Sequence, residues 1–187
     1  YNFFKKSGYK YLQFIPCLDL IENKNEKPPF ALGDKEYGDF LIRLFDLWYA
    51  DLIRGEAPSI RLFDNIILML RGKEPEICSS KGVCSEQYVF EADGSVYPCD
   101  FYATDEYLLG NINRDSFEDF DSKRSETGFI ARSQNKNGKC TECEFFPFCR
   151  NGCYRERTET NLNRFCESYR RFYSHALPIL SDISRKL

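Results

Sequence analysis

Four cysteines fall within fourteen residues in the run KCTECEFFPFCRNGC, Lys139 to Cys153, spaced C-x2-C-x5-C-x3-C. A two-residue gap lets the thiolates of Cys140 and Cys143 face one metal centre from a tight turn, and the two later thiols arrive before a long element can form. The run therefore reads as ligands. Cys17, Cys78, Cys84, Cys99 and Cys166 bring the total to nine. With Cys17 set aside as a lone upstream thiol, the remaining eight suffice for two sites of four thiolates each.

An odd count and this crowding speak against a disulfide scaffold, so a reducing cytoplasm is the expected setting. With 26 basic and 29 acidic side chains the net charge is -3, and no basic run tracks phosphates, so nucleic acid is not an expected partner. No apolar stretch approaches the roughly 20 residues that a bilayer span needs and no signal peptide is visible, so no membrane partner is expected either. The 187 residues allow one large domain or two small ones. A mean hydropathy of -0.51, offset mainly by 17 Phe and 12 Tyr, points to a patchy aromatic core that metal sites help to hold. The chain starts at Tyr1 and Met69 is its only methionine, so it reads as a fragment of a longer protein.

Residues 1 to 10 are expected to end a helix, and Tyr11 to Ile15 to form a strand that Pro16 stops. Cys17, read as a small buried residue, and Asp19 follow at the strand's carboxyl end, before a charged linker from Ile21 to Pro29. Capped by Gly33 or Asp34, a helix over about 35 to 53 places Tyr37, Phe40, Leu41, Leu44, Phe45, Trp48 and Leu52 on one apolar face. Asp64 is expected to cap a second helix carrying Ile66, Ile67 and Leu70, with Gly72 at its end. Near residue 75 the character changes to short cysteine-bearing segments, and a boundary is expected there. Cys78 and Cys84 flank a loop in which Gly82 can take a positive φ. Asp93-Gly94 joins strands 88 to 91 and 95 to 97 in a hairpin that delivers Cys99, with Asp100 next. A polar, partly helical stretch runs to Gln134. Beyond Cys153, ten polar residues read as a surface connection to a last helix over about 162 to 186, which Pro178 should kink. Cys166 lies in that helix's first turn, where the positive dipole end favours a thiolate. The lone histidine, His175, reads as structural.

Zinc takes four thiolates and is purely structural, whereas an iron-sulfur cluster takes four and can also carry electrons. Spacing leaves both open. Nor does it say which thiols share a site, although contiguity groups Cys140, Cys143, Cys149 and Cys153.

The order C78-x5-C84, EADGSVYPCDF, LGNI, C-x2-C-x5-C-x3-C and a final cysteine resembles the SPASM domain at the carboxyl end of many radical SAM peptide-modifying enzymes. Around it, QFIPCLD, FLIRLFDLWYADLIRG, SIRLFD and YPCDFYATDEYLLGNI resemble one subgroup, the anaerobic sulfatase-maturating enzymes, from about residue 11 to the end. The resemblance implies an α+β fold: a cysteine-rich SPASM domain with a β-hairpin over 75–187, a helical connector over 31–74, and over 1–30 the remnant of a partial (β/α) barrel plus linker. It implies two auxiliary 4Fe-4S clusters with crossed ligation, Cys78, Cys84, Cys99 and Cys153 holding the first and Cys140, Cys143, Cys149 and Cys166 the second. An aerobic preparation can leave zinc in these sites or leave them empty.

The same resemblance implies oxidation of a sulfatase Cys or Ser, in a C/S-x-P-x-R motif, to Cα-formylglycine. A 5'-deoxyadenosyl radical starts that reaction, and an external ferredoxin or flavodoxin is the expected electron partner. Asp100 matches the family's base, and partial burial beside a ligand would raise its pKa into a useful range. The C-x3-C-x2-C motif of the SAM-cleaving cluster is absent from the chain, so S-adenosylmethionine and a third cluster are expected only in a full-length enzyme, and the fragment alone should be inactive. Alternatives are the SPASM domain of a thioether-forming or epimerising maturase, and a structural zinc-binding module.

Overall fold

The computed structural model describes residues 1–18 and 30–187. Asp19 and the expected linker lie outside the described residues. A short helix α1 (Asn2–Lys6) leads to strand β1 (Tyr11–Leu12), then helix α2 (Asp34–Ile53), strand β2 (Ser59–Ile60) and helix α3 (Arg61–Leu70). β1 is shorter than the Tyr11–Ile15 expected, because its parallel partner β2 has only two residues before α3 begins. Cys17 is exposed rather than buried.

Helical spacing puts Tyr37, Leu41, Leu44, Phe45 and Trp48 on the buried face of α2, as the sequence pattern requires. Gly33 is the residue before α2, and Asp34 instead accepts from the Ser168 backbone N–H at 2.7 Å, tying this end to the chain's last helix. Asp64 does not cap α3: that helix starts at Arg61, and the Asp64 carboxylate accepts from the Ser59 hydroxyl.

The cysteine-bearing part is built from short pieces. Helix α4 (Cys78–Lys81) precedes strands β3 (Val89–Phe90), β4 (Ser95–Tyr97) and β5 (Gly110–Asn111), which form one antiparallel sheet in the order β3-β4-β5. Gly94, at φ +87°, makes the hairpin turn, and the Asp93 carboxylate accepts from the Ser95 N–H at 2.9 Å. Helix α5 (Phe117–Glu126) starts in a capping box made by Ser116 and Asp119 and is followed by α6 (Phe129–Gln134). Two single turns, α7 (Gly138–Thr141) and α8 (Phe146–Cys149), carry the cysteine run, and α9 (Cys166–Lys186) closes the chain. Pro178 lies within α9 without ending it.

α9 packs along α2 and α3, so helices from both sides of residue 75 share one aromatic core. Phe63 stacks on Phe172 at 5.9 Å and meets Phe45 edge-on at 5.4 Å, while Trp48 Nε1 donates to the Pro58 carbonyl at 3.0 Å. His175 on α9 meets Asp46 on α2 at 2.6 Å, in keeping with a structural role. The core is continuous here and draws on residues from both sides of residue 75, while two smaller apolar clusters lie apart from it. Among the described residues, no helix is long and apolar enough to cross a membrane.

Candidate metal centre

Cys78 opens α4, and its position is set from α3: the buried Asn65 side chain accepts from the backbone N–H of Glu76 at 2.7 Å and of Ile77 at 3.2 Å. The loop to Cys84 turns at Gly82, φ +65°, where a Cβ would lie 1.9 Å from the Arg150 carbonyl oxygen. Only glycine lets the two backbones approach so closely. Cys84 then donates its N–H to the buried Ser133 hydroxyl at 2.9 Å. β4 delivers Cys99, which is buried beside Tyr102 and Phe129.

Cys140, Cys143, Cys149 and Cys166 line one recess, together with Phe145, Asn163 and Tyr173. The thiols that act on Cys140, Cys149 and Cys166 all belong to this set. Burial pushes the Cys149 thiol up to about 12, with Cys166, Cys140 and Cys143 adding to it, and it raises Cys140 and Cys166 in the same direction. Cys166 does begin α9, and its thiol is raised, chiefly by burial.

The other four thiols form a second neighbourhood. Burial pushes Cys99 up to about 12, with Asp100 and Cys84 contributing, and raises Cys153, on which Cys78 and Cys84 act. Cys84 is raised by burial and by Cys78. The recess that Cys140, Cys143 and Cys149 line takes Cys166 as its fourth thiol, and Cys153 is not in its lining. The reason is local: Arg150, Asn151 and Gly152 have φ of 47°, 69° and 59°, a left-handed run that turns the chain from one neighbourhood to the other between Cys149 and Cys153.

All nine cysteines are free thiols. Among the described residues, no three Cys, His, Asp or Glu side chains converge closely enough to hold a single metal ion. A four-iron cluster spreads its ligands over the corners of a cube, wider than the tetrahedron around one zinc ion. The donor chemistry fits such a core: burial, with nearby thiols adding to it, drives Cys84, Cys99, Cys140, Cys149, Cys153 and Cys166 toward the neutral form, and a cationic core bonded to four sulfurs would reverse that balance.

Asp100 begins a 3-10 turn directly after Cys99, whose sulfur donates to its carboxylate at 3.3 Å. It is exposed rather than partly buried as expected.

The segment after Cys153 is not the surface connection its polarity suggested. Glu156 and Asn163 are buried and joined at 2.8 Å, while Asn163 N–H donates to the buried Asn151 side chain at 2.9 Å. Burial raises the Glu156 pKa. Polar residues that pair with one another inside a fold carry no hydropathy signal, and the Asn-Gly of RNGC, favourable to left-handed backbone, is the one hint the sequence holds.

Residues 78–144 match the SPASM family, described as an iron-sulfur cluster-binding domain; that match includes Cys78, Cys84, Cys99, Cys140 and Cys143. Along its whole length the chain is 42% identical to a cysteine-type anaerobic sulfatase-maturating enzyme of Clostridium novyi (strain NT). The chain is homologous to the anaerobic sulfatase-maturating enzymes. It is also 38% identical to the cysteine-type enzyme of Clostridium perfringens (strain 13 / Type A) and 27% identical to the serine-type enzyme of Bacteroides thetaiotaomicron, in each case over all of this chain. The chain spans about half the length of these relatives, 51%, 52% and 50%. The solved structure of histidine-tagged anSMEcpe with bound AdoMet superposes on all of the chain and 50% of its own, with a TM-score of 0.91 at 36% identity. Native anSMEcpe with bound AdoMet and the Kp18Cys peptide gives 0.89 at 38% identity, over 100% of this chain and 53% of that one.

Proposed function

We propose that this chain is the auxiliary-cluster part of a radical SAM enzyme that oxidises a Cys or Ser side chain of a sulfatase to Cα-formylglycine. The observation that carries the reading is the gathering of Cys140, Cys143, Cys149 and Cys166 around one recess, in a chain homologous to these enzymes throughout. Cys78, Cys84, Cys99 and Cys153 would hold the first 4Fe-4S cluster and the recess the second. When bound, such clusters supply one-electron redox capacity and a rigid core.

Asp100 is the proposed base. Fixed beside Cys99, its exposed carboxylate would take the thiol or hydroxyl proton from the substrate residue as that residue is oxidised. The higher identity to the cysteine-type relatives favours a Cys substrate, presented in a C-x-P-x-R segment. α1 and β1 would be the last units of a partial barrel, and S-adenosylmethionine with its own cluster belongs to that other half. A ferredoxin or flavodoxin would exchange electrons with the enzyme, in the reducing cytoplasm that keeps these thiols available for iron.

Iron and sulfide counts on anaerobically reconstituted protein, and aldehyde formation on a C-x-P-x-R peptide by the full-length enzyme, test this reading. Two clusters and an aldehyde are the expected results; tightly held zinc under anaerobic iron loading, or no aldehyde, would contradict it. In the full-length enzyme Asp100→Asn should leave both clusters loaded and lower turnover by about 100-fold or more, the scale of lost general base catalysis. Unchanged turnover removes Asp100 from the mechanism.

A further inference from the structure

The chain crosses from one sulfur neighbourhood to the other between Cys149 and Cys153, and a residue outside both holds that crossing. Arg157 donates through Nε to the Asn151 carbonyl at 3.3 Å, and through Nη2 to the carbonyls of Gly152 at 3.3 Å and Gly82 at 2.7 Å. Its Nη1 donates to the carbonyls of Ser133 at 2.8 Å and Asn135 at 2.9 Å and to the Asn161 side-chain oxygen at 3.5 Å. The guanidinium also lies 5.5 Å over the Tyr154 ring. These six acceptors are neutral oxygens, so the bonds fix the cation in place without cancelling its charge.

The anchors flank both sets of thiols. Gly82 lies two residues before Cys84, and Gly152 joins Cys149 of one set to Cys153 of the other. Lys136 adds a second cation at the same place, donating to the Gly82 carbonyl and, at 3.4 Å, to that of Ser133. The charge of Arg157 acts on Cys84 and Cys153 from one set and Cys140 from the other, and Lys136 acts on Cys84 and Cys140.

We propose that Arg157, assisted by Lys136, is a positioning residue shared by the two cluster sites, a fixed cation that locks the Cys149–Cys153 crossing and raises the reduction potentials of both clusters together. The proposal rests on the iron-sulfur reading above. A thiolate-ligated cluster carries net negative charge and gains more on reduction, so a cation held nearby in partly buried surroundings favours the reduced form. A merely structural tie would hold the loops but leave the potentials alone.

The test is a redox titration, followed by electron paramagnetic resonance, of the anaerobically reconstituted protein as wild type, Arg157→Gln, Arg157→Lys and Lys136→Gln, with iron and sulfide counted in each. Arg157→Gln should lower both midpoint potentials, Arg157→Lys should restore most of that loss, and Lys136→Gln should lower both by a smaller amount, with iron content unchanged. Loaded Arg157→Gln protein with both potentials unmoved, or only one moved, overturns the proposal. If Arg157→Gln fails to load, Lys136→Gln decides, and unshifted potentials there overturn it equally. A wild-type protein that takes up no clusters overturns the site reading itself, and this proposal with it.

Discussion

Around α2, α3 and α9, Phe45, Phe63, Phe172 and Leu180 are wholly buried in one continuous core, whereas from Cys78 to Gln134 the buried apolar side chains fall into two small groups, Val96 with Leu109 and Phe120, and Cys99 with Tyr102 and Phe129. Each fully buried Phe in the first region contributes about 1.5–3 kcal/mol, which suffices to hold three helices together. The second region relies instead on directional contacts: Asn65 to the backbone before Cys78, Ser133 to Cys84, Arg157 to the carbonyls around the crossing. Such bonds give only about 0.5–1.5 kcal/mol net apiece, so they set geometry more than they supply stability. The contrast teaches that the helices hold themselves by burial, while the cysteine region is fixed mainly by directional contacts.

Stripping iron and sulfide with a chelator should sharpen this contrast most. Amide exchange protection between Cys78 and Asn163 should collapse while α2, α3 and α9 stay protected; equal loss in both regions would break the comparison. Phe63→Ala is the opposite probe, expected to cost about 3–5 kcal/mol in thermal or denaturant unfolding without changing the iron held per folded chain. A drop in iron content there would mean the two regions are not independent. The smallest effect is expected of Gly82→Ala, which forces a left-handed alanine against the Arg150 carbonyl. It should cost at least about 1–2 kcal/mol and weaken iron retention at the Cys78, Cys84, Cys99 and Cys153 site first, which selective cluster loss under oxidation would reveal.

The helical region is legible because burial writes itself into sequence as period: Tyr37, Leu41, Leu44, Phe45 and Trp48 can face only one way. The hairpin is legible from Asp93-Gly94, a turn whose backbone favours that pair. The site is legible as eight thiols but not as two groups, since the turn of the chain at Arg150, Asn151 and Gly152 is a matter of dihedral angles that spacing does not encode. The crossed grouping is what family resemblance implies; what the fold shows is that Cys140, Cys143, Cys149 and Cys166 line one recess. Arg157, Glu156 and Asn163 read as solvated because polar residues that satisfy one another inside a fold look identical, in sequence, to polar residues in water. Asp100 does lie beside Cys99 yet lacks the burial expected of it, because one neighbouring ligand does not make an enclosed site.

Whether the thiols are wired across one another is tested most directly by Cys153→Ala, counted for iron and sulfide after anaerobic reconstitution. The content should fall from about eight to about four irons per chain, as expected when one of two four-iron clusters loses a ligand, and the surviving cluster should vanish only when Cys166 is also replaced. Loss instead of the cluster held by Cys140, Cys143 and Cys149, with the Cys78, Cys84 and Cys99 site intact, would contradict the crossed arrangement.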